Sequence, residues 1–312
     1  MDPLISIITP AHNAARWLPE TLGSVARQTY PHWELAVTDD GSSDDTFAVA
    51  TAFQKAHPDK NIQVLRHEHA GGPSGARNTS IKATTGEYLA FLDSDDLWLG
   101  EHLARAVKVL RDTGADFVFC PHLRFETDPT VTDGPYGRDD ARWGPFPDCL
   151  YVHCYIIPAT VVVRRSAVAR AGLFDEDRRV QSGEDLELWM RLAASGARFE
   201  IQPVPTTLYR AHPDAASKNK SRMAETKAWA IWKNRDAIKS VPPAFRHQRT
   251  GIVCEEAARA SRGTRPDKAA GYYLMAFRVN PRRLKYLFYA VACAAYAAVR
   301  GQFPPVITRP SP

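Results

Sequence analysis

The chain has 312 residues, 44% of them apolar and 24% charged, enough for a full hydrophobic core in one large or two small domains, which excludes a disordered chain. No period of roughly 20–50 residues recurs, so a solenoid is excluded as well. The net charge of +5 is unevenly divided, because residues 222–312 hold 17 Lys and Arg against 5 Asp and Glu while residues 1–221 carry a balance of −7.

A basic C-terminal part suits nucleic acid, an anionic membrane or a phosphate-bearing substrate, and charge alone leaves the three open. Five cysteines (Cys120, Cys149, Cys154, Cys254 and Cys293) form no C-x-x-C pair, a pattern that predicts reduced thiols in a cytoplasmic protein, with no disulfide framework and no zinc site. Met1-Asp2-Pro3-Leu4-Ile5 lacks the basic start and apolar core of a signal peptide. The stretch Leu284–Val299 includes Lys285 and is shorter than the roughly 20 residues that cross a bilayer. It predicts a helix that packs or lies on a membrane surface.

In chain order, Leu4–Thr9, Glu34–Thr38, Ile62–Arg66 and Tyr88–Leu92 read as strands, with helical spacing at Ala14–Gln28 and Asp44–Ala56 between them. Ser42 to Asp45 supply capping side chains for the second of these helices, and a third starts near Ser74. This alternation predicts βα units around a mostly parallel sheet. A helix at Glu101–Thr113 and a strand at Asp116–Cys120 follow, then a long loop at 126–150 rich in Asp, Pro, Gly and aromatics. Beyond it come a strand at Ala159–Arg164, a helix from Glu184 to Ser195, and extended segments at Ala197–Ile201 and Thr207–Tyr209. These close a first domain over 1–217. Residues 218–312 form a basic extension that reads as helices broken at Pro242-Pro243 and Pro281.

Two acidic clusters end apolar strands. Thr38-Asp39-Asp40-Gly41-Ser42-Ser43-Asp44-Asp45 serves equally as an N-capping turn or as a ligand site at the carboxyl edge of a sheet. Phe91-Leu92-Asp93-Ser94-Asp95-Asp96 places three carboxylates within four positions, a cluster that repels itself unless a cation or several donors compensate it. Hard cations take carboxylate oxygens together with substrate phosphates, so the Asp-Ser-Asp turn is a candidate metal site. Between the clusters, Ala70-Gly71-Gly72-Pro73-Ser74-Gly75-Ala76-Arg77-Asn78 offers backbone N–H groups and a guanidinium to an anion. Neither a Walker A ending nor a G-x-G-x-x-G follows the first strand, which weakens ATPase and dinucleotide readings.

Thr9-Pro10-Ala11-His12-Asn13, Asp39-Asp40-Gly41-Ser42, Gly75-Ala76-Arg77-Asn78 and Asp93-Ser94-Asp95-Asp96, in that order, resemble the family 2 glycosyltransferases of GT-A fold. The likeness continues through Gly172-Leu173-Phe174-Asp175-Glu176, Ser182-Gly183-Glu184-Asp185 and Tyr209-Arg210-Ala211-His212, so it spans about residues 4–217. It implies an α/β fold of the nucleotide-diphospho-sugar transferase type and a metal-dependent inverting transferase that moves a sugar from a nucleotide-diphosphate donor to a glycan or lipid-linked hydroxyl.

Carried over residue by residue, the resemblance implies a donor site of Thr9, Pro10, His12, Asn13, Asp40, Arg77, Asp93 and Ser94. Asp40 would accept from the N3–H of uracil, the mark of a UDP-sugar, although His12 stands where the family usually has tyrosine or another aromatic. Asp95, with Asp93 and His212, would hold Mn²⁺ or Mg²⁺, and Asp185, supported by Glu184, would be the base that deprotonates the acceptor. Without that context Glu184-Asp185 reads as a helix N-terminus favoured by the macrodipole, and His212 as a surface residue. The basic extension is a candidate contact with a membrane or a second copy, not with nucleic acid. The alternatives are a non-catalytic nucleotide-sugar or glycan-binding subunit and a sugar-nucleotidyltransferase.

Overall fold

The computed structural model describes residues 2–137, 145–213, 215 and 218–299. Part of the expected loop (138–144), the expected boundary at 217 and the end of the chain (300–312) lie outside the described residues. The first half runs β1 (Ile5–Ala11), α1 (Leu18–Ala26), β2 (Trp33–Asp40), α2 (Thr46–Ala56), β3 (Ile62–His67), α3 (Pro73–Ala83), β4 (Tyr88–Phe91), β5 (Leu97–Trp98) and α4 (His102–Thr113). It continues with β6 (Phe117–Phe119), β7 (His122–Phe125), β8 (Asp133–Tyr136), β9 (Val161–Arg164), α5 (Arg165–Ala171), α6 (Glu184–Ala194), β10 (Phe199–Ile201) and β11 (Thr207–Arg210). The remaining helices are α7 (Lys220–Lys233), α8 (Pro243–Ser261), α9 (Pro266–Val279) and α10 (Lys285–Val299).

Seven strands form the central sheet in the order β10-β6-β9-β4-β1-β2-β3. All neighbours are parallel except β9, which runs antiparallel to both β4 and β6. Every residue of β1 and β2 is buried, as a parallel sheet covered on both faces requires. Side chains alternate between two cores: Ile5, Ile7 and Ala90 join one, Ile8, Leu89 and Phe91 the other. The strand order reverses beside β1, so the carboxyl ends of β1, β2 and β4 open onto one crevice, the usual ligand position in such sheets. A second sheet, β5-β11-β7-β8, stands beside it.

Several elements depart from the sequence reading. Helix α1 begins at Leu18 rather than Ala14, because Pro19 lacks an N–H and is tolerated only in a first helical turn. Strands β5, β7 and β8 were not expected; β5 has two residues, and β8 is Asp-Gly-Pro-Tyr, exposed throughout, which gives no apolar alternation to read. Helix α5 is too short to show a period. An unexpected break separates α8 from α9, where Pro266 starts the new helix.

The C-terminal helices are built onto the rest. Ala230, Ile231 and Val253 share a core with Leu188, Trp189 and Met190 of α6, and a separate cluster joins Cys254 and Ala257 to Tyr272, Met275, Tyr286 and Ala290. Helix α10 buries Tyr286, Ala290 and Ala297 while Leu284 just before it and its own Phe288, Val291 and Val299 stay exposed. Among the described residues, no helix is long and apolar enough to cross a membrane.

Candidate active site

The turn after β2 grips the glycine loop before α3. Gly41 has φ +66°, and a Cβ there would stand 2.7 Å from the backbone N of Ala70, so only glycine lets the two segments meet. One Asp40 carboxylate oxygen accepts from Gly71 N–H (3.0 Å) and pairs with His67 Nδ1 (2.7 Å), while the other accepts from Gly72 N–H (2.7 Å). A carboxylate has about four acceptor positions, which leaves one on Oδ2. His12 Nδ1 donates to the Asp40 carbonyl at 2.8 Å, so that nitrogen carries the ring proton. Asp39 is wholly buried, accepting from Ser42 N–H (3.1 Å) and pairing with Arg66 (3.2 Å).

At the end of β4, the acidic turn is held from several sides. Arg77, buried in the first turns of α3, donates 2.6 Å bonds to both Asp93 and Glu184. Burial opposes its charge, but the two carboxylates outweigh that and hold the guanidinium above its ordinary pKa. Arg210 of β11 donates its backbone N–H to Asp96 (2.9 Å) and its Nε to the Asp95 carbonyl (2.8 Å), and lies over Trp17 and Phe125. His212 Nε2 is 2.9 Å from Asp95 Oδ2. Burial, then the charge of Asp93, raises the Asp95 carboxyl above the usual carboxylate range, and burial with both neighbours raises Asp96 well above it.

Asp93 and Asp95 offer carboxylate oxygens, the donors that Mn²⁺ or Mg²⁺ takes. The Nδ1 atom of His212 is buried without a hydrogen-bond partner among the described residues. No three His, Cys, Asp or Glu side chains among them form a ready cage; an ion completed by diphosphate oxygens and water needs none.

The third wall is the start of α6. Ser182 has φ +75°, an uncommon conformation for a residue with a side chain, and its N–H with that of Gly183 donates to Glu184 Oε2 at 2.6 and 3.0 Å. Glu184 thereby gives three acceptor positions to Arg77 and its own turn. Asp185, half-buried, accepts from Leu186 N–H (2.7 Å) and from no other group among the described residues. Burial, with the Glu184 charge next, pushes its carboxyl up to about 7, the range in which a carboxylate works as a base at neutral pH.

These three walls enclose a cavity of about 820 Å³. Of the residues read as a donor site, Pro10, His12, Asp40, Arg77, Asp93 and Ser94 line it, together with Asp95, read as a metal ligand, and Glu184, read as support for the base. Thr9 and Asn13 do not: Thr9 is fully buried in β1, and Asn13 turns its carboxamide oxygen to Ser43 N–H at 2.9 Å. Asp185 also lies outside the lining, one residue beyond Glu184. Two lining residues, Arg178 and Gln181, were not singled out by the sequence, and neither was His67, which touches Asp40; Arg222 lines the cavity as well. Arg210 stands within the Tyr209-Arg210-Ala211-His212 motif, two positions before His212. Gln181 and Arg178 carried no sequence signal.

The family model "Glycosyl transferase family 2" matches residues 6–171. A relative from Escherichia coli, "UDP-Glc:alpha-D-GlcNAc-diphosphoundecaprenol beta-1,3-glucosyltransferase WfaP", is 28% identical over 217 residues, covering 70% of this chain and 81% of its own. Among solved structures, S. aureus TarS 1–349 in complex with UDP superposes with a TM-score of 0.66 at 20% identity, over 96% of this chain and 92% of that one. The mannosyltransferase PcManGT from Pyrobaculum calidifontis, in complex with GDP-Man and Mn²⁺, gives 0.61 at 23%, over 97% and 77%. These likenesses show the fold, which is the GT-A arrangement expected from the motifs.

Proposed function

This chain belongs to glycosyl transferase family 2, and on that premise we propose that it transfers the sugar of a UDP-sugar, with inversion, to a hydroxyl of a lipid-linked glycan. The observation that carries the reading is the Arg77 bridge, which ties the Asp93 turn to the Glu184-Asp185 turn across one cavity.

In this reading the exposed ring of His12 stacks on the base, and the remaining acceptor position of Asp40 takes the uracil N3–H. Asp185 removes the proton of the acceptor hydroxyl as that oxygen bonds to the anomeric carbon, and the bond from that carbon to the diphosphate oxygen breaks. A divalent cation at Asp93, Asp95 and His212 would neutralise charge on the departing diphosphate. Glu184 fixes the turn that aims Asp185. In the same reading residues 1–217 carry the catalysis, and 218–312 are a basic helical extension that contacts a membrane surface. Helix α10, with Arg282, Arg283 and Lys285 at its start and an apolar outer face, would rest on the anionic inner face of a membrane. WfaP, whose name gives a UDP-Glc donor and a diphosphoundecaprenol acceptor, supports both choices.

The test is a thermal-melt screen with UDP-glucose, UDP-N-acetylglucosamine and GDP-mannose, each with and without Mn²⁺, since a ligand bound only by the native state raises its stability by RT ln(1 + [L]/Kd). A metal-dependent rise with a UDP-sugar is expected. A larger rise with GDP-mannose would overturn the uridine assignment.

A further inference from the structure

A second cavity, of about 370 Å³, lies between α7 and α9. Its lining is aromatic and apolar at Trp229, Trp232, Tyr272 and Met275, and it shares Arg178 and Arg222 with the donor cavity. We infer that this groove receives the apolar carrier chain of a lipid diphosphate acceptor, with Arg178 and Arg222 holding the phosphates where the two cavities meet. The inference rests on the transferase reading above and adds to it where the acceptor binds.

Charge and continuity name the occupant. The acids of the groove are already neutralised: Glu225 accepts from Lys268 at 2.8 Å and from Ser261 at 2.9 Å, and Asp267 pairs with Arg265 at 2.8 Å. By contrast Arg178, Arg222 and Arg278 are exposed and form no ion pair with a carboxylate among the described residues. The junction therefore presents unpaired guanidinium forks, which match phosphate oxygens, at the mouth of an apolar channel of ordinary ligand size. An amphiphile with a diphosphate head and a hydrocarbon tail satisfies both halves. Placed so, its head-linked sugar points into the cavity where Arg77 holds the two acidic turns together.

Gly271 supplies the test. It lines the groove, and a Cβ added there meets nothing within 4 Å, so a large side chain fills the groove without disturbing the helix. Farnesyl diphosphate serves as the probe, titrated against the intact chain by tryptophan fluorescence, with farnesol and inorganic diphosphate as separate arms. Farnesyl diphosphate should bind at least tenfold more tightly than either part alone. Gly271→Phe, and Gly271→Leu as a second filler, should weaken it at least tenfold while keeping the melting temperature. Gly263→Phe, also in open space but outside the groove, should bind as wild type. Arg178→Ala with Arg222→Ala should reduce farnesyl diphosphate to the affinity of farnesol.

Unchanged binding in both Gly271 variants would overturn the proposal, as would a dimer that either of them dissociates, which would mean that a second copy covers the groove. The probe carries neither nucleotide nor sugar. Failure of UDP-sugars to bind would sink the function proposed above and leave this result standing.

Discussion

The guanidinium of Arg77 lies 2.6 Å from the Glu184 carboxylate, joining the starts of α3 and α6 across 107 residues of sequence. Its other arm holds Asp93 at the same distance. A single buried fork therefore sets the spacing between the Asp93 turn and the turn that carries Asp185. Removing one partner of such a pair leaves uncompensated buried charge.

Arg77→Met should accordingly destabilise the protein by about 3–5 kcal/mol, read as a lowered urea midpoint. Arg77→Lys should not restore it, because one ammonium cannot bond both carboxylates as a planar fork does. A midpoint within error of wild type for Arg77→Met would show that the bridge contributes no stability.

Asp185→Asn keeps the shape and removes the basicity. Turnover should fall by roughly 10²–10⁴-fold with donor affinity unchanged. Glu184→Gln should act differently, losing stability through its Arg77 and backbone bonds more than losing the chemical step. Near-normal turnover in Asp185→Asn together with a collapse in Glu184→Gln would transfer the base to Glu184.

The pH dependence follows from the raised carboxyl of Asp185. Below about pH 7 the group is protonated in the folded protein and cannot accept a proton, so kcat should fall about tenfold per unit as pH drops further. The stability sign is opposite. A folded-state pKa above the unfolded value contributes stability at low pH that is lost as pH rises through about 7. Asp185→Asn should therefore abolish the acid limb of the rate profile and raise stability, relative to wild type, above that pH. A wild-type profile flat from pH 5 to 8 would remove Asp185 from the chemical step.

Asp95→Ala deletes one of three acids within four positions, two of which burial and mutual repulsion already hold above their usual range. The apo protein should be as stable as wild type or more so, while the Mn²⁺-dependent part of UDP-sugar stabilisation disappears. Retention of that part would place the metal elsewhere.

Phe288→Glu with Val291→Glu puts charge on the exposed face of α10 without touching Tyr286, Ala290 or Ala297, which pack it. Co-sedimentation with anionic vesicles should fall several-fold and the melting temperature should hold. Equal sedimentation would remove α10 from membrane contact.

Hydrophobic runs and turn residues are local properties, and the sequence by itself determined what depends on them: the strands that meet at the crevice, the acidic turns that end β2 and β4, the glycine loop, and the Glu-Asp helix start. It also carried the family. Elements with weak local signals escaped it, such as the two-residue β5 and the exposed Asp-Gly-Pro-Tyr of β8. Only the tertiary structure decided which side chains those turns would spend on one another. Asp40 gives three of its acceptor positions to Gly71, Gly72 and His67, and Thr9 is buried away from the cavity it was expected to line. Arg77 serves two carboxylates, and Arg178 and Arg222 reach the junction of two cavities. Partners of that kind come from segments tens to over a hundred residues apart, brought together by burial of the sheet and helix faces, and no local pattern encodes the distance between them.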